Sequence, residues 1–299
     1  MNSFTEISTD FEREWRSPYS QANEPETLVL PLILRPEDLL LHLYKEDVLL
    51  VDARVPETCV DGHIPGAVSL PFQELQASNG AAKGLLPSVE RLKELFSGIG
   101  LTPQTHVVAY DDDSGTGASR LLWTLEMIGH KSFSLLNGGF AAWDEAESPL
   151  ALDLVEPVSS ALQVERVGDY LAEYDDVLLS IDNPSVAIVD TRSAGEFAGT
   201  DVRAERGGHI PGAINIDWMD STDPYDNFQI RDDDDLRALF AGNGVTPDKE
   251  IIVYCQTHHR SSHTYIMLKH LGYPKVRAYA GSWSEWGNRS DAPIERNGK

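Results

Sequence analysis

The sequence predicts an α/β fold of two similar domains, each a mostly parallel sheet flanked by helices. Three observations predict it. The chain has 299 residues, a length that suits two domains with a core each. Short apolar runs alternate with amphipathic segments, the pattern of a parallel sheet covered on both faces. And from Leu28 onward, five segments recur in the same order at a near-constant offset.

Leu49-Leu50-Val51-Asp52-Ala53-Arg54 returns as Ala187-Ile188-Val189-Asp190-Thr191-Arg192. Gly62-His63-Ile64-Pro65-Gly66-Ala67 returns as Gly208-His209-Ile210-Pro211-Gly212-Ala213. Leu92, Leu95 and Phe96 return as Leu236, Leu239 and Phe240, one apolar helical face at i, i+3, i+4. Val107-Val108-Ala109-Tyr110-Asp111 returns as Ile251-Ile252-Val253-Tyr254-Cys255, and Gly138-Gly139…Trp143 as Gly281-Ser282…Trp286. The extra residues of the second copy fall in the Gly-rich, charged loop between Asp190 and His209. These matches divide the chain into an N-terminal arm (1–27), a first domain (28–146), a linker (147–161) and a second domain (162–299).

In order, the arm is polar and acidic, and its Phe4, Phe11, Trp15 and Tyr19 are expected to dock in part on the body. Leu49–Val51 is apolar throughout, as a buried parallel strand is. Gly98 and Gly242 are expected as left-handed C-terminal residues of their helices. Pro149, Pro157 and paired serines make the linker extended. Asp232 to Asp235 are expected to cap a helix and complement its dipole.

Composition bounds function. Hydrophobic content is 41% and net charge −24, so nucleic acid and anionic membranes are poor partners. No run approaches the roughly 18 apolar residues of a membrane span. The N-terminus lacks the basic and apolar regions of a signal peptide. With only two cysteines, Cys59 and Cys255, the expected setting is a reducing cytoplasm.

The chemistry concentrates after Ile251–Tyr254, which reads as a buried strand. Cys255 follows at once, then Gln256-Thr257-His258-His259-Arg260-Ser261-Ser262 and the apolar-periodic Tyr265…Leu271, ending at Gly272. Strand, tight loop and helix N-terminus form an anion-binding nest of backbone N–H groups, and Arg260 adds a full charge. A thiol there loses its proton below its ordinary pKa of about 8.5. The plainer alternative is a cysteine serving as a small core residue.

These residues and motifs resemble the tandem-domain rhodaneses, the thiosulfate:cyanide and 3-mercaptopyruvate sulfurtransferases. The resemblance runs from about Leu28 to Ala292 and rests on paired Asp-x-Arg and Gly-His-Ile-Pro-Gly-Ala, on Gly281-Ser282-Trp283…Trp286, and on the Cys loop. Cys255-Gln256-Thr257-His258-His259-Arg260-Ser261 is similar to the loop of a bacterial subgroup. The resemblance implies that Cys255 is the nucleophile of a ping-pong transfer through a persulfide, with no metal or organic cofactor. Loop N–H groups would stabilise the anion. Partners would be a small-molecule sulfur donor and acceptor, cyanide or a thiol, including a protein thiol.

Gln256, Thr257, His258, His259, Arg260 and Ser261 are the substrate-binding candidates, with Arg192 as a further one. Arg192 has a structural alternative, an ion pair with Asp190, since Arg54 repeats it in the first domain. His209, repeated as His63, is expected to be structural. Asp111 stands where Cys255 stands, so the first domain should be inert in sulfur transfer. Asp111-Asp112-Asp113 suggests either a divalent-cation site or, preferred, a solvated vestigial loop. Glu196 departs from vertebrate-type enzymes, which carry Arg there. Cys59 is expected to be incidental. Two other functions compete. A non-catalytic sulfur relay would hand the persulfide to a partner protein. A cysteine phosphatase of this fold would need a longer loop than the four residues between Cys255 and Arg260.

Overall fold

The computed structural model describes residues 28, 30–153 and 155–296, with the side chains of 59–61 left out. The expected docking of Phe4, Phe11, Trp15 and Tyr19, and the reading of Cys59, lie outside the described residues and side chains. Two five-stranded parallel sheets form the frame. In the first the spatial order is Ile33–Leu34, Phe133–Leu136, His106–Tyr110, Val48–Asp52 and Val68–Ser69. In the second it is Leu171–Ala172, Val276–Tyr279, Glu250–Tyr254, Val186–Asp190 and Ile214–Asn215. The repeat holds to the register: Leu50 pairs with Val108 as Ile188 pairs with Ile252. No helix among the described residues is long and apolar enough to cross a membrane.

The two halves share one core. Helix Thr116–Met127 is buried along its whole length and packs against helix Arg260–His270, buried from Ser261 to Leu268. Leu121, Leu122 and Leu125 join Tyr265, Ile266 and Leu268 in a single apolar cluster between the sheets. Each such side chain contributes about 1.5–3 kcal/mol when fully buried. A helix buried on every side, as Thr116–Met127 is, can be accommodated only in such a sandwich.

The doubled Asp-x-Arg motif explains itself locally. Arg192 grips Asp190 through Nε and Nη2 at 2.6–3.1 Å and donates to Gly208 O at 2.8 Å. Arg54 does the same with Asp52 and Gly62 O. The Tyr254 hydroxyl accepts the Ile210 amide, as Tyr110 accepts that of Ile64. The motif thus fastens the Gly-His-Ile-Pro turn to its own strand, Val186–Asp190, and Tyr254 fastens it to the neighbouring strand that carries the loop. His209 stacks on Phe197 with ring centroids 3.6 Å apart and bonds its carbonyl, a packing role.

Three sequence expectations are corrected. The left-handed glycines after the paired helices are Gly100 (φ 82°) and Gly244 (φ 77°); Gly98 and Gly242 are still helical. Asp232 occupies the N-cap position of its helix but its side chain makes no capping bond; the aspartates of the first turn complement the dipole, and Asp233 and Asp235 also pair with His270 and Arg231. Asp111 is not solvated: it is buried, and its carboxylate accepts N–H bonds from Asp113, Gly115 and Ala118 at 2.8–3.0 Å.

Candidate active site

Cys255 lies one residue past the central strand Glu250–Tyr254, fully buried at the base of its loop. Its backbone is pinned on both sides. Its carbonyl accepts the Trp283 amide at 3.0 Å, and Gln256 O accepts that of Ser284 at 2.9 Å. The Ser282 hydroxyl oxygen accepts the amides of Cys255 (3.3 Å) and His258 (3.2 Å) while donating to Tyr279 O (2.8 Å). His258 turns the loop at φ 50°, a left-handed conformation uncommon outside glycine, and Ser282 has the same φ. The helix begins at Arg260, well before the apolar-periodic Tyr265, so its first turn is built from loop residues.

The electrostatics favour an ionised thiol. Burial pushes the Cys255 thiol up, but the Arg260 charge, the Ser261 hydroxyl and amide, and the Thr257 amide together bring it below its ordinary value. Ser261 Oγ also meets His258 Nδ1 at 2.7 Å. With the Ser261 proton directed at sulfur, Nδ1 must carry the hydrogen, an assignment that follows from the bond network.

The two histidines add no charge. Burial, with Arg120 and neighbouring charge behind it, drives His258 well below the ordinary imidazole value and His259 to about 4. His258 packs edge-on against Trp123, and His259 stacks on Phe72 at 4.1 Å. Both rings are therefore neutral near pH 7, and the positive field of the loop comes from arginine.

Arg260 is chelated by Glu196, with Nη1 to Oε2 at 2.6 Å and Nη2 to Oε1 at 3.0 Å. Gln256 leans outward and donates to Arg203 O at 3.1 Å. Gln256, Thr257, His259 and Arg260 are partly exposed; Cys255, His258 and Ser261 are not. The structure thus gathers six of the seven binding candidates around the thiol. Arg192 does not join them: its guanidinium is spent on Asp190 and Gly208.

The first domain completes the site. Its hairpin, Ala77–Asn79 with Ala82–Leu85, lies on the loop so closely that a Cβ at Gly84 would sit 2.0 Å from Thr257 O. Lys83 N donates to Ser284 Oγ at 2.9 Å. Arg120 donates to His258 O at 3.3 Å, and Thr116 Oγ1 meets His259 Nε2 at 3.0 Å.

Sequence reasoning missed Ser282, Arg120 and the partner of Glu196. Only Ser282 left a local signal, the exchange of Gly139 for Ser282 between the repeats.

Comparison with known proteins decides the family. The model of the rhodanese-like domain matches twice, at residues 35–146 and 173–289. The chain belongs to the rhodanese family of sulfurtransferases. A thiosulfate sulfurtransferase of Azotobacter vinelandii is 41% identical over 266 residues, covering 89% of this chain and 97% of that protein. The sulfur carrier protein TtuD of Thermus thermophilus is 35% identical over 84% of this chain and 88% of its own length. The crystal structure of SseA, a 3-mercaptopyruvate sulfotransferase from Escherichia coli, superposes with a TM-score of 0.77 at 28% identity, over 85% of this chain and 99% of that one. Within this rhodanese, the loop around Cys255 and the carboxylate of Asp111 occupy matching places of the two repeats, so the second domain alone offers a nucleophile at that position.

Proposed function

We propose that this rhodanese takes a sulfane sulfur onto Cys255 from thiosulfate or 3-mercaptopyruvate and passes it to cyanide or a thiol. The observation that carries the reading is a buried thiol, lowered in pKa, that faces the Thr257 amide and the Ser261 amide and hydroxyl. With thiosulfate, the Cys255 thiolate attacks the outer sulfur, a new S–S bond forms, and the old one breaks to release sulfite with its electron pair. The persulfide that remains is an anion, and the same donors that hold the thiolate hold it. An acceptor thiolate or cyanide then attacks the terminal sulfur and returns Cys255 as thiolate. Arg260, partly exposed, meets the anionic end of the donor, tempered by Glu196. A thiol of this kind needs a reducing compartment, in keeping with a cytoplasmic enzyme.

A second reading has support of its own. The relative TtuD carries the name of a sulfur carrier, and a chain of net charge −24 attracts a basic partner protein. Intact-protein mass spectrometry separates these readings. Incubation with each donor should add one sulfur to the wild type and none to Cys255→Ser. Equal loading of Cys255→Ser would remove the assignment. Loading followed by slow release to cyanide but fast release to a protein thiol would favour the relay.

A further inference from the structure

Two cations stand near the Cys255 loop, and they are not equivalent. Arg260 is chelated by Glu196, so most of its charge is already answered. Arg120 comes from the buried helix of the other domain and is itself fully buried. Its hydrogen bonds go to three carbonyls: His258 O at 3.3 Å, Leu75 O at 2.8 Å and Leu85 O at 3.2 Å. Its Nε has no partner, and among the described residues no carboxylate bonds it. The Trp123 ring, 4.7 Å from Cζ, offers only the weak negative face of an aromatic.

Carbonyls satisfy donors but do not neutralise a charge. A buried ion without a counter-ion costs several kcal/mol. The loop that Arg120 holds at His258 O carries the Cys255 thiol, the acidic group whose charge reaches the guanidinium. Burial, partly offset by the charge of Cys255, brings the guanidinium down to about 9. Arg260 is the foremost positive charge acting on the thiol, but it has a carboxylate of its own.

We propose that Arg120, supplied by the domain that lacks a nucleophile, is a second counter-charge beside Arg260 that helps keep Cys255 and its persulfide ionised. It is a positioning residue, acting through the loop whose carbonyl at His258 it holds. The proposal deepens the sulfur-transfer reading and rests on Cys255 being the sulfur carrier. It gives the inert half of the molecule an electrostatic duty in the reaction of the other half.

The test is the pH dependence of Cys255 alkylation by iodoacetamide, followed by peptide mass, in wild type, Arg120→Met and Arg120→Lys. Loss of a nearby opposing charge moves a pKa by roughly one to two units. The midpoint of Arg120→Met should therefore rise by that amount, and alkylation near pH 7 should slow by about 10- to 100-fold. Arg120→Lys, which keeps the charge, should recover most of the rate. A folded Arg120→Met with the wild-type midpoint overturns the proposal, as does Arg120→Lys displaced as far as Arg120→Met. A wild-type thiol titrating at the ordinary cysteine value unseats the sulfur-transfer reading, and the proposal with it. A stability cycle covers the case of poor folding. Arg120→Met should lower the melting temperature less in a Cys255→Ser background than in wild type, because there the cation has already lost its anion. Equal penalties in both backgrounds, or failure to fold in both, assign Arg120 to scaffolding alone and overturn the proposal.

Discussion

Replacing Glu196 by Gln should make the protein less stable and its thiol more reactive at the same time. Glu196 is 1% exposed and Arg260 20%, and the two meet through bonds of 2.6 and 3.0 Å. Burial pushes the Glu196 carboxyl up, but the bonds and charge of Arg260, with Arg203 and Arg192 behind them, leave it below its ordinary value. Gln keeps the shape, and its oxygen can still accept from Ser193. What it loses is the charge. Breaking a fully buried pair costs about 3–5 kcal/mol; with Arg260 partly solvated, about 2–3 kcal/mol is expected. That corresponds to a fall of roughly 5–10 °C in melting temperature. The pH dependence has a definite sign. A carboxyl lowered in the fold contributes stability that is present above its unfolded value of about 4.5 and lost as pH falls through its folded value. The gap between wild type and Glu196→Gln should therefore close as pH drops from about 6 toward 3. Meanwhile Arg260 acts on the thiol without a competing carboxylate, so Cys255 alkylation near pH 6 should quicken about 3- to 10-fold. Calorimetry across pH and alkylation kinetics check both limbs. A folded variant that alkylates more slowly than wild type, or a stability gap unchanged at low pH, would refute the reasoning.

Three further outcomes follow from the geometry. Asp111→Ala leaves the buried amides of Gly115 and Ala118, and the partly buried one of Asp113, without acceptors, so denaturant unfolding should show a loss of about 2–4 kcal/mol while sulfur loading of Cys255 persists; undiminished stability would mean that the carboxylate does not hold its loop. Because burial lowers His258 and sets His259 near 4, the alkylation profile between about pH 5 and 8 should follow the thiol alone; a second inflection near 6.5, the unperturbed imidazole value, would show a solvated histidine instead. Gly84→Ala drives a methyl into Thr257 O from a backbone at φ 75°, so the hairpin must lift. Bulky maleimides, slow on the wild type, should then reach Cys255 faster, and unchanged rates would count against a tight seat.

Much of this was legible in the residues themselves. The doubled Asp-x-Arg and Gly-His-Ile-Pro motifs located matching strands and turns, because those contacts are made by side chains two to sixteen positions apart. Periodicity marked Leu92, Phe96, Leu236 and Phe240, all buried in the fold. The strand–Cys–loop–helix order placed the thiol. The helix start at Arg260 was hidden because the His259 side chain at the N-cap makes no capping bond, so no cap signal marked the boundary. Arg120 and the partner of Glu196 were illegible for another reason. The contacts, Arg120 with His258 and Glu196 with Arg260, join segments that only the packing of the completed molecule brings together. The same packing keeps His258 and His259 neutral.

The two halves cover each other in both directions. The hairpin Ala77–Leu85 roofs the Cys255 loop, and in return Ile230, from the hairpin Thr222–Asp223 with Gln229–Ile230, donates its amide to Asn137 Oδ1 at 2.8 Å, next to the turn that holds the Asp111 loop. Neither half can therefore be trimmed to a minimal enzyme. Cutting away residues before the linker would strip the wall from the sulfur pocket and leave Tyr265, Ile266 and Leu268 facing water, so whatever keeps the second copy working also keeps the first from being discarded.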